Sequence, residues 1–393
     1  MKNDTKDGER PLICKIQDYL FDRYDYRINI VSNCLQRKEK QCNEWLEVQM
    51  NDIEVELFKA NFKSFKDPLK SLFGSKEITK HDPMVDYFEN LLKWDYTHED
   101  YIKKLLSYVK TDDDEWFEQM FKKWLVRCVG QAIGKIPFNK QCFTLVGLQH
   151  DGKTSFLDNL IPKYLKDYGK KGFDFGNKDG KFSLIQNFIV NLDELTAFDK
   201  KELNNEFKSI LSESIVKFRP LFANNEVAFQ RRASFVATTN QFEFLTDETG
   251  NVRWLPFVIH KINHDNGGNN GYMSVDINKV WSQAYYLLQD TNFEYEMTSN
   301  EIAKQEVINR RFLKTTTEME IISKYYVQGS KDDINSQFYT PSDIENELKN
   351  KTSIRLYRNQ IGKALQILGI KQESNYNPKR GYSLKGYFLK DVL

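Results

Sequence analysis

The chain has 393 residues, of which 40% are hydrophobic and 14% aromatic, and its formal net charge is +1. This length exceeds a single hydrophobic core and predicts two or three domains, and the composition excludes a disordered or collagen-like chain. No apolar run approaches the roughly 18 residues of a membrane-spanning helix, and no signal peptide is visible. We therefore expect a cytoplasmic protein without membrane contact. The five cysteines contain no Cys-x-x-Cys pair, so the spacing supports neither a zinc knuckle nor a disulfide framework.

The charges are distributed unevenly. Residues 81–120 contain 11 Asp/Glu and 4 Lys/Arg, whereas residues 351–393 contain 9 Lys/Arg and 2 Asp/Glu. A basic tail suggests contact with a polyanion, and the acidic stretch is typical of a solvated face.

The first part of the chain predicts a mainly helical or small α+β accessory region, residues 1–113. Helices are predicted over residues 12–21 and 51–62, and a strand over residues 26–31 with residues 45–49 as its partner. Residues 81–134 have helical spacing throughout. Within them a broad aromatic stripe predicts a core helix that packs beside the next domain, and its members are Trp116, Phe117, Met120, Phe121, Trp124, Leu125 and Cys128.

A glycine-rich loop follows. The buried strand predicted at residues 143–146 leads into Gly147-x-x-x-x-Gly152-Lys153-Thr154, and residues 155–160 then have helical spacing. A strand, such a loop and a helix are the pattern of a phosphate-binding loop, because backbone N–H groups can close around an anion where no Cβ obstructs them. Lys153 is then a catalytic residue that contacts the β- and γ-phosphates of ATP, and Thr154 binds Mg²⁺. The predicted nucleotide-binding residues are Gly147, Asp151, Gly152, Lys153, Thr154 and Ser155.

The next apolar run, residues 188–192, is followed directly by two acidic residues. A phosphate-loop enzyme needs such acids at the carboxyl end of a neighbouring parallel strand. We predict that Asp193 binds Mg²⁺ and that Glu194 is catalytic and polarises the attacking water. An apolar run ending in two acids is by itself common.

A β-hairpin with a polar tip is predicted from residues 215–222 and 227–232. Its basic side chains suit the phosphate backbone of single-stranded DNA passing through a central channel, although an ordinary surface hairpin is the alternative. The candidate DNA-binding residues are Lys217, Arg219, Phe222, Asn224, Asn225, Arg231 and Arg232.

Two further catalytic residues are predicted after this hairpin. Residues 234–240 form a buried strand that ends at Asn240, which can hydrogen-bond the attacking water or the γ-phosphate. A turn at residues 247–254 presents Arg253, which could neutralise transition-state charge in a neighbouring subunit as an arginine finger. Arg232 is the alternative finger.

The last part, residues 291–393, predicts helices at 318–327, 341–349 and 356–368, then a basic-tipped hairpin. This is the outline of a winged-helix-like domain, used either for DNA contact or for packing alone. Residues 114–290 between the two outer parts form the predicted α/β ATPase domain, a P-loop NTPase fold.

Together these motifs resemble the virulence-associated E family, whose members are encoded by phages and mobile elements and carry a superfamily-three-like helicase ATPase. The resemblance covers roughly residues 80 to 260. It includes His81-x-Pro83-x-x-Asp86-Tyr87, Trp94-Asp95, the glycine-rich loop, Asp193-Glu194, Arg219, Thr238-Thr239-Asn240 and Asp247-x-Thr249-Gly250-Asn251-x-Arg253. Two departures are that Arg253 is the only arginine where the family often has two and an aromatic residue, and that no primase-type acidic cluster occurs in the first 80 residues.

The resemblance implies an AAA+-like ATPase that forms a ring, a hexamer, and acts on single-stranded DNA during replication of such an element. Lys153, Asp193 and Asn240 would then face Arg253 of the next subunit. The alternatives are an ATPase switch that assembles on DNA or loads host replication proteins without unwinding, and a regulatory factor with almost no ATPase activity. A primase is a further expected partner.

Overall fold

The computed structural model describes residues 10–175, 178–193, 195, 201–219, 225–246, 251–378 and 380–392. The chain divides into two compact units. The first consists of Met1–Asn240 and Arg253–Glu301, and the second of Gln241–Val252 and Ile302–Leu393. None of the helices in the described ranges combines the length and apolar character needed to cross a bilayer.

The amino-terminal part of the first unit packs helices on a four-stranded sheet of order β3-β2-β1-β4. Its elements are α1 (Leu12–Phe21), β1 (Tyr24–Asn29), β2 (Cys34–Glu39), β3 (Leu46–Glu47), α2 (Met50–Lys59), α3 (Lys66–Phe73) and β4 (Thr79–His81). The core between the layers includes Ile16, Leu20, Ile53 and Leu57, all completely buried. The region is therefore α+β, and not the mainly helical one that was our first alternative.

The partner predicted for β1 is wrong. β1 pairs antiparallel with β2, and β3, which lies in the segment predicted as the partner, pairs with β2 instead. β2 has a polar sequence in which only Leu35 is buried, so it lacks the apolar alternation that would reveal a strand.

Next along the chain come α4 (Pro83–Glu89), α5 (Tyr101–Leu106), β5 (Val109–Thr111) and α6 (Asp114–Ala132). The predicted aromatic stripe of α6 is buried, and Phe117, Phe121 and Trp124 each pack against Phe143 with ring centroids 5.0–5.7 Å apart. The prediction that this helix packs beside the following domain is confirmed. In the second half of α6 the polar residues Lys123, Arg127 and Gln131 are buried as well, which the stripe did not predict.

The remaining elements of the first unit build a six-stranded sheet with its helices and one hairpin. They are β6 (Cys142–Val146), α7 (Lys153–Asp158), β7 (Gly169–Lys171), α8 (Lys178–Gln186), β8 (Ile189–Leu192), α9 (Lys201–Ser212), β9 (Ile215–Phe218), β10 (Val227–Gln230), β11 (Ser234–Thr239), β12 (Trp254–Ile262) and α10 (Ile277–Gln289). The buried strands predicted before the glycine-rich loop, before Asp193 and before Asn240 are therefore present.

The strand order of this sheet is β5-β12-β6-β11-β8-β7, with every pair from β12 to β7 parallel and β5 antiparallel to β12. The prediction that the strand ending at Asp193 adjoins the strand of the glycine-rich loop needs a correction, because β11 lies between β6 and β8. Since the strands are parallel, the carboxyl ends of β6, β11 and β8 lie at the same edge of the sheet.

The second unit contains four α-helices and four strands among its described residues. They are α11 (Ser299–Arg310, whose first three residues belong to the first unit), α12 (Thr317–Tyr325), β13 (Tyr326–Gln328), β14 (Gln337–Tyr339), α13 (Pro341–Lys351), α14 (Arg358–Ile367), β15 (Glu373–Asn377) and β16 (Tyr382–Asp391). β16 pairs with β13, β14 and β15. The three helices and the hairpin predicted for this region are all present, and Ile322, Ile344 and Ile361 are completely buried in their common core.

Candidate functional site

The glycine-rich loop joins β6 to α7 at the carboxyl edge of the parallel sheet. Gly152 caps α7 with a φ of 78°, a left-handed conformation that costs glycine little. At Gly147 the constraint is space, since a Cβ would lie 3.0 Å from Asp151 Oδ2 and 3.1 Å from the carbonyl oxygen of Ile259. The backbone path thus favours glycine at both positions of the motif.

Lys153 begins α7 and is 94% buried, with a relative exposure of 6%. Its ammonium donates hydrogen bonds to the carbonyl oxygens of Gly147 (3.0 Å) and Leu148, and to Asn240 Oδ1 at 3.1 Å. Burial lowers the pKa of Lys153, and the negative charges of Asp151 and Asp193 act in the opposite direction. Two sequence-predicted catalytic residues, Lys153 and Asn240, therefore meet directly.

Asp193 follows β8 and accepts two hydroxyl hydrogen bonds on one oxygen. Thr154 Oγ1 donates to Asp193 Oδ1 at 2.9 Å, and Thr238 Oγ1, from the intervening strand β11, donates to the same atom at 2.8 Å. The predicted pair Thr154 and Asp193 is thus in contact. Thr238 was not among our predicted site residues, although its place two residues before Asn240 at the end of a buried strand was a usable signal.

These side chains surround a cleft of about 330 Å³. Its lining is Gln149, His150, Asp151, Gly152, Lys153, Thr154, Ser155, Asp193, Thr238, Thr239 and Asn240. The lining is polar and contains a buried ammonium, which suits a phosphate chain better than an apolar ligand. The Thr154 hydroxyl and the Asp193 carboxylate are hard oxygen donors of the type that Mg²⁺ prefers, so the residues present fit a magnesium–phosphate group.

Arg253 lies in a short 3₁₀ helix before β12 and is partly exposed. Its Nη2 donates to Ser212 Oγ at the end of α9, at 3.2 Å. Arg253 is not among the described residues that line the cleft.

The predicted hairpin legs are present, with β9 antiparallel to β10. Lys217, Arg219 and Asn225 are exposed. Three other predicted site residues, Glu194, Phe222 and Asn224, lie outside the described residues.

Arg231 is a correction to the DNA-binding prediction. It is completely buried, and its guanidinium donates to the carbonyl oxygens of Ala233, Ile210, Leu211 and Asn139 at 2.9–3.0 Å. A side chain without exposed surface cannot contact a DNA backbone. We therefore assign Arg231 a structural role.

Arg232 is also engaged within the first unit. Its guanidinium forms a two-pronged ion pair with Asp82, at 3.0 Å and 2.6 Å, and donates to the carbonyl oxygen of Ala132 at 2.8 Å. Asp82 is the N-cap of α4 and accepts from the backbone N–H groups of Met84 and Val85. This arrangement argues against Arg232 both as a DNA contact and as the alternative arginine finger.

The described chain is a mixed α/β protein with a polar cleft at the carboxyl edge of a parallel sheet. The family model of the virulence-associated protein E-like domain matches residues 89–314, and the chain belongs to this family.

Solved structures with a similar fold include the apo structure of the NrS-1 C-terminal region (305–718). It is 13% identical, with a TM-score of 0.51 over 97% of this chain and 99% of that one. The A form apo structure of the same region is 14% identical, with a TM-score of 0.49 over 96% and 99%. At this identity the similarity concerns the fold alone. A comparison with curated proteins finds no match.

Proposed function

We propose that this protein is a P-loop ATPase of the AAA+ type that assembles into a ring, a hexamer, and uses ATP hydrolysis to move single-stranded DNA during replication of a phage or mobile element. The observation that supports it most strongly is the meeting of Lys153, the Thr154–Asp193 pair and Asn240 at the ends of three parallel strands. Ligands of open α/β sheets bind at this edge.

In the proposed site each side chain has a separate role. The Lys153 ammonium would leave its loop carbonyls to contact the β- and γ-phosphates, and the Thr154 hydroxyl and Asp193 would hold Mg²⁺, which neutralises phosphate charge when bound. Thr238 orients the Asp193 carboxylate through its hydrogen bond. Asn240 would orient the attacking water or contact the γ-phosphate, and Glu194 would polarise that water.

DNA contact is assigned to the exposed leg of the hairpin. Lys217 lies on β9 and Arg219 follows the end of that strand, and both side chains are exposed. Residues two positions apart in an extended chain point to the same face. This spacing suits two phosphates of a single strand better than a base-specific contact. The family membership and the basic hairpin support DNA as the substrate over which the ring moves.

The decisive experiment measures ATP turnover of the full chain with and without single-stranded DNA. Lys153→Ala should abolish turnover, whereas Lys166→Ala, an exposed lysine of the same unit, should leave it unchanged. Strong stimulation by DNA supports the motor, and turnover indifferent to DNA supports an assembly switch. No turnover in a folded, oligomeric wild-type sample would contradict the ATPase.

The position of Arg253 outside its own cleft leads to a second test of the ring. Arg253→Ala and Lys153→Ala should each be inactive alone. A 1:1 mixture should recover about one quarter of wild-type turnover, because an interface works when one subunit supplies Lys153 and its neighbour Arg253. A mixture as inactive as the separate variants, in proteins shown to co-assemble, would mean that Arg253 does not act on a neighbour.

A further inference from the structure

The second unit carries a basic surface on α14 and on the β15–β16 hairpin. Along α14 the buried residues Ile361, Ala364 and Leu365 face the core. Asn359, Lys363 and Gln366 lie on the opposite side of the helix and are exposed. We refer to four exposed cations of these elements as the basic surface, and they are Arg358, Lys363, Arg380 and Lys385.

The charges of this surface are not neutralised within the unit. On the adjacent helix α13, Lys349 pairs with Glu345 and Lys351 with Glu347, both at 3.0 Å. In contrast, none of the four cations of the basic surface has an acidic partner within 4.0 Å among the residues that the structure describes. Exposed cations of one unit that have no acidic partner are typical of a surface that meets a polyanion.

The first turn of α14 contributes backbone N–H groups to the basic surface. Thr316 and Thr340 cap α12 and α13 with their side chains, but Tyr357, the N-cap of α14, makes no side-chain hydrogen bond. No described side chain therefore caps the start of α14, and in its first turn only the N–H of Gln360 donates to the carbonyl oxygen of Tyr357. The positive end of the helix dipole beside Arg358 favours a phosphate.

We propose that the basic surface binds duplex DNA, with the exposed side of α14 in the major groove and the β15–β16 hairpin along the neighbouring backbone. α14 has 10 residues, so it is roughly 15 Å long, and a B-form major groove about 12 Å wide admits a helix. Asn359 and Gln366 can donate to and accept from base edges on that side. The tyrosines Tyr376 and Tyr382 of the hairpin are 61% and 53% exposed and can pack against the sugar–phosphate backbone.

A helix on this surface distinguishes duplex DNA from other nucleic acids. The major groove of A-form RNA is too deep and narrow for a helix, and a single strand offers no groove at all. The inference goes beyond the proposed function, because it assigns a second nucleic-acid site that needs neither ATP nor the 215–230 hairpin.

The experiment measures fluorescence anisotropy of a 20-base-pair DNA duplex, the same single strand and the matching RNA duplex, about 20 being the length of two helical turns. The full chain is used without ATP, in a Lys217→Ala/Arg219→Ala background that removes the hairpin cations. Arg358→Glu/Lys363→Glu should weaken duplex DNA binding at least about tenfold and make the salt dependence shallower. The control Lys324→Glu/Lys331→Glu has the same change of charge within the same unit and should change affinity less than about twofold.

Several outcomes would overturn the proposal. They are a loss below about twofold, an equal loss in the control, or equally tight binding of RNA duplex or single-stranded DNA through the same residues. Arg358→Gln/Lys363→Gln, with an unchanged Tm, provides a milder variant in case the charge reversal unfolds the unit. Because ATP is absent, failure here is distinct from failure of the ATPase proposal.

Discussion

Arg219 and Arg231 lie in or beside the same hairpin and differ in what surrounds their guanidinium groups. Arg219 is exposed, whereas the buried Arg231 donates to four carbonyl oxygens. Two of these oxygens lie in α9, one belongs to Ala233 directly before β11, and one belongs to Asn139 before β6. Identical side chains thus lie in opposite environments, and a sequence pattern of alternating basic residues cannot separate them. Burial excludes Arg231 from DNA contact and leaves Arg219 accessible.

Replacing Arg231 by Met should destabilise the protein, because it leaves buried carbonyl oxygens without donors. We expect a loss of at least about 3 kcal/mol, which lowers Tm by at least about 6 °C in a unit of this size. Arg219→Met is the matched control and should keep Tm while weakening single-stranded DNA binding. Thermal unfolding and DNA anisotropy of both variants check this, and an unchanged Tm for Arg231→Met would contradict the structural role.

Lys153 leads to a prediction about pH. Because burial lowers its pKa below the ordinary value of 10.5, the ammonium loses its proton at a lower pH than an exposed lysine does. We expect KM for ATP to rise on the alkaline side before pH 10.5 is reached. Lys153→Arg stays charged throughout that range, so its lower activity should lack this alkaline rise. The same rise in the arginine variant would assign it to another group.

Residue chemistry predicted much of the candidate site and missed part of it. The glycine-rich loop, Asp193 and Asn240 line one cleft, and motif spacing led us to expect them together. The hydrogen bond from Thr238 to Asp193 was not predicted, because it depends on β11 lying between β6 and β8. The buried contacts of Arg231 and the ion pair of Arg232 could not be predicted for the same kind of reason, since their partners are up to 150 residues away in sequence.

At the scale of elements, strongly periodic segments were predicted closely. α1 has the predicted bounds, and the aromatic helix, the buried strands and the three carboxyl-terminal helices are present. The polar strand β2 and the strand order of the large sheet were not predictable, because the first lacks apolar alternation and the second is set by tertiary packing. Periodicity identifies an element but not its neighbour.

The burial of α6 and β6 predicts the reactivity of their thiols. Cys128 and Cys142 are completely buried, and burial raises the pKa of Cys128 to about 12 and that of Cys142 further. Since the thiolate is the reactive form, both should resist iodoacetamide at pH 8 until the protein unfolds, whereas exposed Cys42 should react first. Peptide mass spectrometry after timed labelling measures the order. Cys42→Ser should remove the fastest phase, and early labelling of Cys142 would contradict its burial.

At the scale of the whole molecule, the chain between β11 and β12 leaves the first unit. Gln241–Val252 belongs to the second unit, where the backbone of Leu245 hydrogen-bonds Phe312 and Lys314 at 2.9 Å and 2.8 Å. Phe244 packs on Phe312 with ring centroids 5.8 Å apart. The segment that connects β11 to β12 therefore contacts Phe312 and Lys314, which follow the domain boundary predicted at residue 290.

A buried ion pair is a second contact between residues on the two sides of that predicted boundary. Lys123 on α6 pairs with Glu301 at 2.9 Å, and both side chains are nearly buried. Lys123 also donates to the carbonyl oxygen of Glu296. Removing one member of a buried ion pair typically costs about 3–5 kcal/mol, because the remaining charge is left without a partner.

Two fragments test the boundary, one spanning residues 10–290 and the other residues 10–316. Both fragments contain every described residue of the cleft. Only the longer one retains Glu301 and also Phe312 and Lys314, whose backbone hydrogen-bonds Leu245. We expect the shorter fragment to have the lower Tm and to bind a hydrophobic dye, since it exposes Phe244 and Leu245 and leaves Lys123 unpaired. Glu301→Gln in the longer fragment isolates the contribution of the ion pair and should reproduce only part of the loss. Equal Tm values and equal dye binding would instead establish residue 290 as a true domain boundary.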